Sequence, residues 1–166
     1  MKNNSANLLA SQAQTYLSSA RKPISNLREA ALCAPLVFPK PKGAALLGLR
    51  YERACFKRVK RWLKNETVIH NPWIKYSCSA APQSFASPDI VAIDSNIVFE
   101  CKLSWTEAAI VQVENYCVLC EKIFNKGFSP VIMCKYARGK IPSDIKIIVH
   151  PGEIEQSKLH LMIWTS

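Results

Sequence analysis

Acidic residues are scarce in this chain: 12 Asp and Glu stand against 22 Lys and Arg, a formal net charge of +10 over 166 residues. Such a surplus attracts polyanions, of which nucleic acid is the commonest and an anionic membrane surface the competitor. Long apolar runs are also missing. No stretch approaches the roughly 18 residues needed to cross a bilayer. The first residues carry no charged start, apolar run and small-residue cleavage site of the secretory kind. Cysteines number seven, an odd count that speaks against a disulfide scaffold and for a reducing compartment. The three histidines, His70, His150 and His160, are isolated from one another, which leaves a zinc site or histidine-based catalysis without support. Internal repeats and low-complexity tracts are absent. These features lead to the expectation of a soluble, intracellular protein of cytoplasm or nucleoid, built as one domain with an extension.

The extension is expected at residues 1–46. Asn, Ser, Ala and Gln dominate its start, and Pro23, Pro35, Pro39 and Pro41 break any long helix. Short helices are expected at 6–19 and 26–33, in an arm or adaptor that ends in a Lys40-Pro41-Lys42-Gly43 linker and is partly disordered when alone. The domain proper is expected at 47–166.

Within it, 47–64 reads as a helix. At 100° per residue, Tyr51, Cys55, Phe56, Val59, Trp62 and Leu63 share one arc. Arg50, Arg53, Lys57, Arg58, Lys60, Arg61 and Lys64 take the opposite side. Glu52 falls inside the apolar arc, where a lone carboxylate is costly unless something pairs with it. A strand at 73–77 and a loop at 79–87 follow. Strands at 89–93 and 97–103 are joined by a tight Asp94-Ser95-Asn96 turn. Ser104-x-x-Glu107 has the form of a capping box opening a helix to about Phe124, with Gly127 as its stop. Strands at 130–136, 146–150 and 159–164 complete the pattern.

Side chains alternate along a strand. Ile97, Phe99, Cys101 and Leu103 therefore share one face, and Val98, Glu100 and Lys102 the other. With a two-residue hairpin loop Asp89 joins Glu100 and Lys102 on their face; a three-residue loop places it on the opposite one. Two carboxylates and one ammonium on a half-buried sheet face repel more than they bind. A divalent cation resolves the conflict, and oxygen ligands suit Mg²⁺, with Mn²⁺ as substitute. Such an ion stabilises charge developing on a phosphodiester and acidifies a bound water, which Lys102 is placed to orient or help deprotonate.

Pro88-Asp89, ten intervening residues, then Glu100-Cys101-Lys102 resembles the signature of the PD-(D/E)XK nuclease superfamily. The helix–strand–strand–strand–helix–strand order is similar to its common core. Gly48-x-x-x-Glu52 lies where members carry an additional metal-binding or positioning acid or histidine. Gln112-x-x-x-Tyr116 resembles the motif of the RecB-like branch, and the likeness covers about residues 47–136. It implies an α/β fold with a restriction-endonuclease-like core: a central mixed β-sheet flanked by helices, preceded by the N-terminal arm. It also implies Asp89, Glu100 and the Cys101 carbonyl as metal ligands, with Glu52 assisting, Lys102 acting in catalysis, and Gln112 and Tyr116 supporting site or substrate. The function expected is Mg²⁺-dependent hydrolysis of DNA, with RNA left open as substrate. Exonuclease and structure-specific endonuclease both fit, in recombination, repair or the DNA processing of phages and mobile elements.

Other signals admit two readings. The face of Arg50, Arg53, Lys57, Lys60, Arg61 and Lys64 is either a solvated helix surface or a track for the DNA backbone, extended by Lys75, Lys135, Arg138 and Lys140. Trp73, Tyr76 and Trp105 either stack on unpaired bases or pack in the core. The resemblance to RecB-like nucleases, some of which carry an iron–sulfur cluster on four cysteines, brings up Cys117-x-x-Cys120 with Cys33, Cys78 and Cys134, but Cys117 and Cys120 share an apolar helical face with no second close pair, and buried free thiols are the expectation. Two rival functions are a nuclease-fold protein that binds nucleic acid without cutting, and an interaction protein whose arm docks on an assembly. A homodimer, or a larger protein assembly formed through the N-terminal arm, is the expected partner state, with no membrane.

Overall fold

The computed structural model describes residues 22–38 and 41–165. Its centre is a six-stranded mixed sheet in the order β2-β5-β6-β7-β9-β8. These strands are β2 (Val68–His70), β5 (Ile90–Ala92), β6 (Ile97–Ser104), β7 (Ser129–Tyr136), β8 (Lys146–Ile148) and β9 (His160–Ile163). β5 runs antiparallel to both β2 and β6, whereas β6, β7, β9 and β8 run parallel to one another. A second sheet of three antiparallel strands, in the order β1-β3-β4, comprises β1 (Leu27–Cys33), β3 (Trp73–Cys78) and β4 (Ala81–Ala86). Among the described residues there are two α-helices, α1 (Ala44–Trp62) and α2 (Ala108–Phe124). None is long and apolar enough to cross a membrane.

The central sheet separates two cores. On one face α1 buries Tyr51, Cys55 and Val59 against Ile97, Phe99 and Cys101 of β6 and against Val131 and Met133 of β7. Tyr51 closes this side by donating its hydroxyl to the Trp164 carbonyl at 2.9 Å. On the other face α2 buries Ala109, Val113, Tyr116 and Leu119 against Val91, Val98 and Ile132, and the small sheet adds Ile74 and Tyr76. The apolar arc read for α1 and the alternation read for β6 are therefore the two faces that pack.

Several local expectations gave way to tertiary pairing. Residues 27–33 form a strand rather than a short helix, because β1 pairs with β3 from Leu27 opposite Cys78 to Cys33 opposite Trp73. Residues 79–87 are not all loop: β4 pairs with β3, and Pro82 is tolerated because β4 is an edge strand. Ser104 caps no helix, since it ends β6 opposite Tyr136; α2 begins at Ala108 and has no side-chain N-cap bond. Asn125, not Gly127, takes the left-handed turn that ends α2, at φ 54°. The helix expected at 6–19 lies outside the described residues. Residues 22–24 pack on the domain, where the buried Asn115 amide donates to the Lys22 carbonyl at 2.9 Å and accepts from the Ile24 N–H at 2.8 Å.

Candidate metal and catalytic site

The hairpin between β5 and β6 sets the geometry. Ile90 pairs with Phe99 and Ala92 with Ile97, so four residues, 93–96, form the loop instead of the two or three expected. An even number preserves the parity: carried one residue further, this register sets Asp89 opposite Glu100, on the face that carries Val98 and Lys102. Asn96 makes the turn at φ 57°, and Asp94 fastens the loop by accepting the Thr67 N–H at 2.6 Å.

Pro88 has no N–H to donate, and β5 begins only at Ile90. The Cys101 N–H of β6 is instead satisfied by the Asp89 side chain, accepting at Oδ2 over 2.6 Å. Because N–H and C=O of one strand residue point to the same edge, the Cys101 carbonyl faces the side on which Asp89 sits. Glu100 is 1% exposed, and its Oε1 accepts a hydrogen bond from the Lys102 ammonium. Its Oε2 is buried without a hydrogen-bond partner. Asp89 is half-buried and Lys102 31% exposed, so the group opens to solvent on one side.

The electrostatics express the conflict foreseen from the sequence. Burial pushes the Asp89 carboxyl well above the usual carboxylate range, and the negative charges of Glu100 and Glu52 push it further, against Lys102 and the Cys101 N–H. Glu100 is raised by burial, with Lys102 opposing and Glu52 adding. For Lys102 burial works downward, but Glu100 and then Asp89 outweigh it, and the ammonium ends above its ordinary value.

Glu52 approaches from α1. Its place in the apolar arc is explained by two partners that sequence reasoning missed: His70 Nε2 donates to Oε1 at 2.8 Å and Asn71 Nδ2 donates to the same oxygen at 2.7 Å. A carboxylate inside an apolar arc was itself the signal that such partners had to exist. Gln112 donates to the Tyr116 hydroxyl at 2.9 Å on α2, and Tyr116 packs in the core that includes Val91 and Val98. The pair thus supports the sheet face that carries Glu100 and Lys102. Cys117 and Cys120 are buried on α2, and burial pushes the Cys120 thiol up to about 12.

Among the described residues no three His, Cys, Asp or Glu side chains converge as a ready metal cage. The donors nevertheless fit a hard divalent cation: the buried, unpartnered Oε2 of Glu100, the raised Asp89 carboxyl and the Cys101 carbonyl beside it are all oxygen. Arg50, Arg53, Lys57, Lys60 and Arg61 are all exposed on α1, and Lys64 is exposed just beyond its end rather than within the helix expected at 47–64, forming a basic surface beside the helix face that carries Glu52. Two concavities share none of the site residues: one of about 540 Å³ beside Glu29, Lys75 and Gln83, and one of about 340 Å³ beside Asn96, Ser129 and His150.

No protein-family model, curated protein or solved structure matches the chain.

Proposed function

We propose that the chain is a metal-dependent nuclease with a restriction-endonuclease-like core, hydrolysing phosphodiester bonds of DNA. The observation that carries this reading is Glu100: a carboxylate 1% exposed, with one oxygen on Lys102 and the other unpartnered, set across a hairpin from a second raised acid. As structural glue this arrangement is poor, since burying like charges costs more than one lysine returns. As a cation site it is well matched. Asp89, Glu100 and the Cys101 carbonyl would hold Mg²⁺ or Mn²⁺, with Glu52 assisting from α1. The bound ion would stabilise charge on the phosphodiester and acidify a water molecule. Lys102, hydrogen-bonded to Glu100, would orient or help deprotonate the attacking water. The exposed cations of α1 track the phosphate backbone, giving salt-sensitive and sequence-independent binding.

The test is cleavage of linear, circular, single-stranded and branched DNA with Mg²⁺, Mn²⁺ or EDTA, by wild type, Asp89→Asn and Lys102→Ala. The reading expects metal-dependent cutting that both substitutions abolish, with the preferred substrate separating exonuclease from structure-specific endonuclease. Tight, salt-sensitive binding without cutting under any metal would replace the enzyme with a nuclease-fold binding protein.

A further inference from the structure

His70 and Asn71 both donate to one oxygen of Glu52. A carboxylate offers two oxygens and about four acceptor positions, yet the described residues give no hydrogen bond to Oε2. Concentrated on Oε1, the two donors fix the plane of the carboxylate and leave Oε2 available.

The same two residues connect Glu52 to Asp89. Asn71 adopts φ 50°, a left-handed conformation that asparagine tolerates better than most residues. At this bend its side chain reaches Glu52 while its backbone N–H donates to the Asp89 carbonyl at 2.9 Å. One residue therefore touches both acid-bearing residues, one on a helix and one at a strand end. His70 pairs with Ile90, the neighbour of Asp89, and its ring stacks on Phe56 at 4.5 Å and 12°. Phe56 stands one helical turn beyond Glu52, so α1 supplies both the carboxylate and the wall against which the imidazole rests. Because a carboxylate only accepts, the imidazole carries a proton on Nε2.

We propose that His70 and Asn71 are positioning residues that clamp Glu52 beside Asp89 and hold its Oε2 free for the assisting role toward the cation that the nuclease reading gives it. This deepens the nuclease reading and rests on it. The influence of Glu52 on both Asp89 and Glu100 is what such proximity produces.

The experiment is calorimetric titration of Mn²⁺ alone into the full chain, for wild type, Glu52→Gln, Asn71→Gly, His70→Ala, His70→Gln and the double variant Glu52→Gln/Asn71→Gly. Asn71→Gly retains the backbone bond to Asp89 and accepts the positive φ, so it removes only the side-chain donor. Loss of a residue that orients a metal ligand costs about 10–100-fold in affinity, and this is the weakening expected for Asn71→Gly and His70→Ala. His70→Gln, which keeps an N–H donor, should recover most of it. The double variant should bind no more weakly than Glu52→Gln alone, because the clamp acts only through Glu52. Should His70→Ala fail to fold by circular dichroism, Asn71→Gly carries the test. Wild-type affinity in Asn71→Gly, or an undiminished loss in the Glu52→Gln background, would overturn the clamp while leaving the metal site standing. A wild type that binds no Mn²⁺ would overturn both.

Discussion

Replacing Asp89 by Asn should stabilise the metal-free protein and destroy its response to metal. Asp89 lies beneath a half-open surface with its pKa raised by burial, then by Glu100 and Glu52. An acid whose folded pKa exceeds the unfolded value of about 3.9 binds its proton more tightly when folded. Its contribution to stability is then most favourable below that unfolded value and declines as pH rises toward the folded pKa. Asparagine is neutral throughout and keeps an oxygen to accept the Cys101 N–H, so the geometry at β6 survives. Wild type and Asp89→Asn should therefore have similar melting temperatures near pH 4, and the variant should pull ahead as pH climbs to 7.5. Divalent cation reverses the order. A ligand at 100 times its Kd stabilises the folded state by about 2.7 kcal/mol. For a chain of this length each kcal/mol moves Tm by about 2–4 °C, so saturating Mn²⁺ should raise wild type by roughly 5–10 °C and the variant hardly at all. Thermal unfolding followed by circular dichroism across pH, with EDTA or Mn²⁺, reads both effects. A wild type more stable than Asp89→Asn without metal at every pH, or an equal response of the two to Mn²⁺, would refute the reasoning.

Lys102→Ala should lower stability as well as abolish cutting. Removing one partner of a fully buried ion pair costs about 3–5 kcal/mol, but Lys102 is 31% exposed, and a loss of roughly 2 kcal/mol in unfolding free energy is expected from urea denaturation. Asn115→Ala should cost about 2 kcal/mol, since it removes two hydrogen bonds each worth about 1 kcal/mol. It should also release residues 22–24 to limited proteolysis, visible as faster cleavage ahead of β1. Neutralising Lys57, Lys60 and Lys64 together should lessen the slope of log K against log salt for duplex DNA by up to about 2.7, at about 0.9 per phosphate contact. Fluorescence anisotropy measures it, and an unchanged slope would assign that face to solvation. Leu119→Ala, at a fully buried position of α2, should cost about 3–5 kcal/mol without altering metal affinity.

The readable parts of the sequence were those in which one local pattern coincides with the tertiary environment. β6 was legible because Ile97, Phe99 and Cys101 alternate with Val98, Glu100 and Lys102, and each set meets its own core. The basic and apolar sides of α1 were legible for the same reason at helical spacing. The register of Asp89 depended on loop parity, and the four-residue loop keeps the face that a two-residue loop would have given. What escaped was structure imposed from a distance. Leu27–Cys33 is rich in Leu, Ala, Glu and Arg, good helix formers, but becomes a strand because β3 offers it an edge. β2 is three residues long, too short for any period to declare itself. The Ser104 capping pattern lost to continued pairing of β6 with β7. His70 and Asn71 lie 18 and 19 residues beyond Glu52, and only the fold brings them to it.

The most direct measurement for the central claim is cleavage of end-labelled linear DNA by wild type and Glu100→Gln, each with Mn²⁺ and with EDTA. Gln preserves the shape and one acceptor oxygen at a buried position but removes the charge that a cation requires. The expected result is products from wild type with Mn²⁺ only, and none from Glu100→Gln although the variant is folded and still binds DNA. Cutting by Glu100→Gln at the wild-type rate, or by wild type in EDTA, would contradict it.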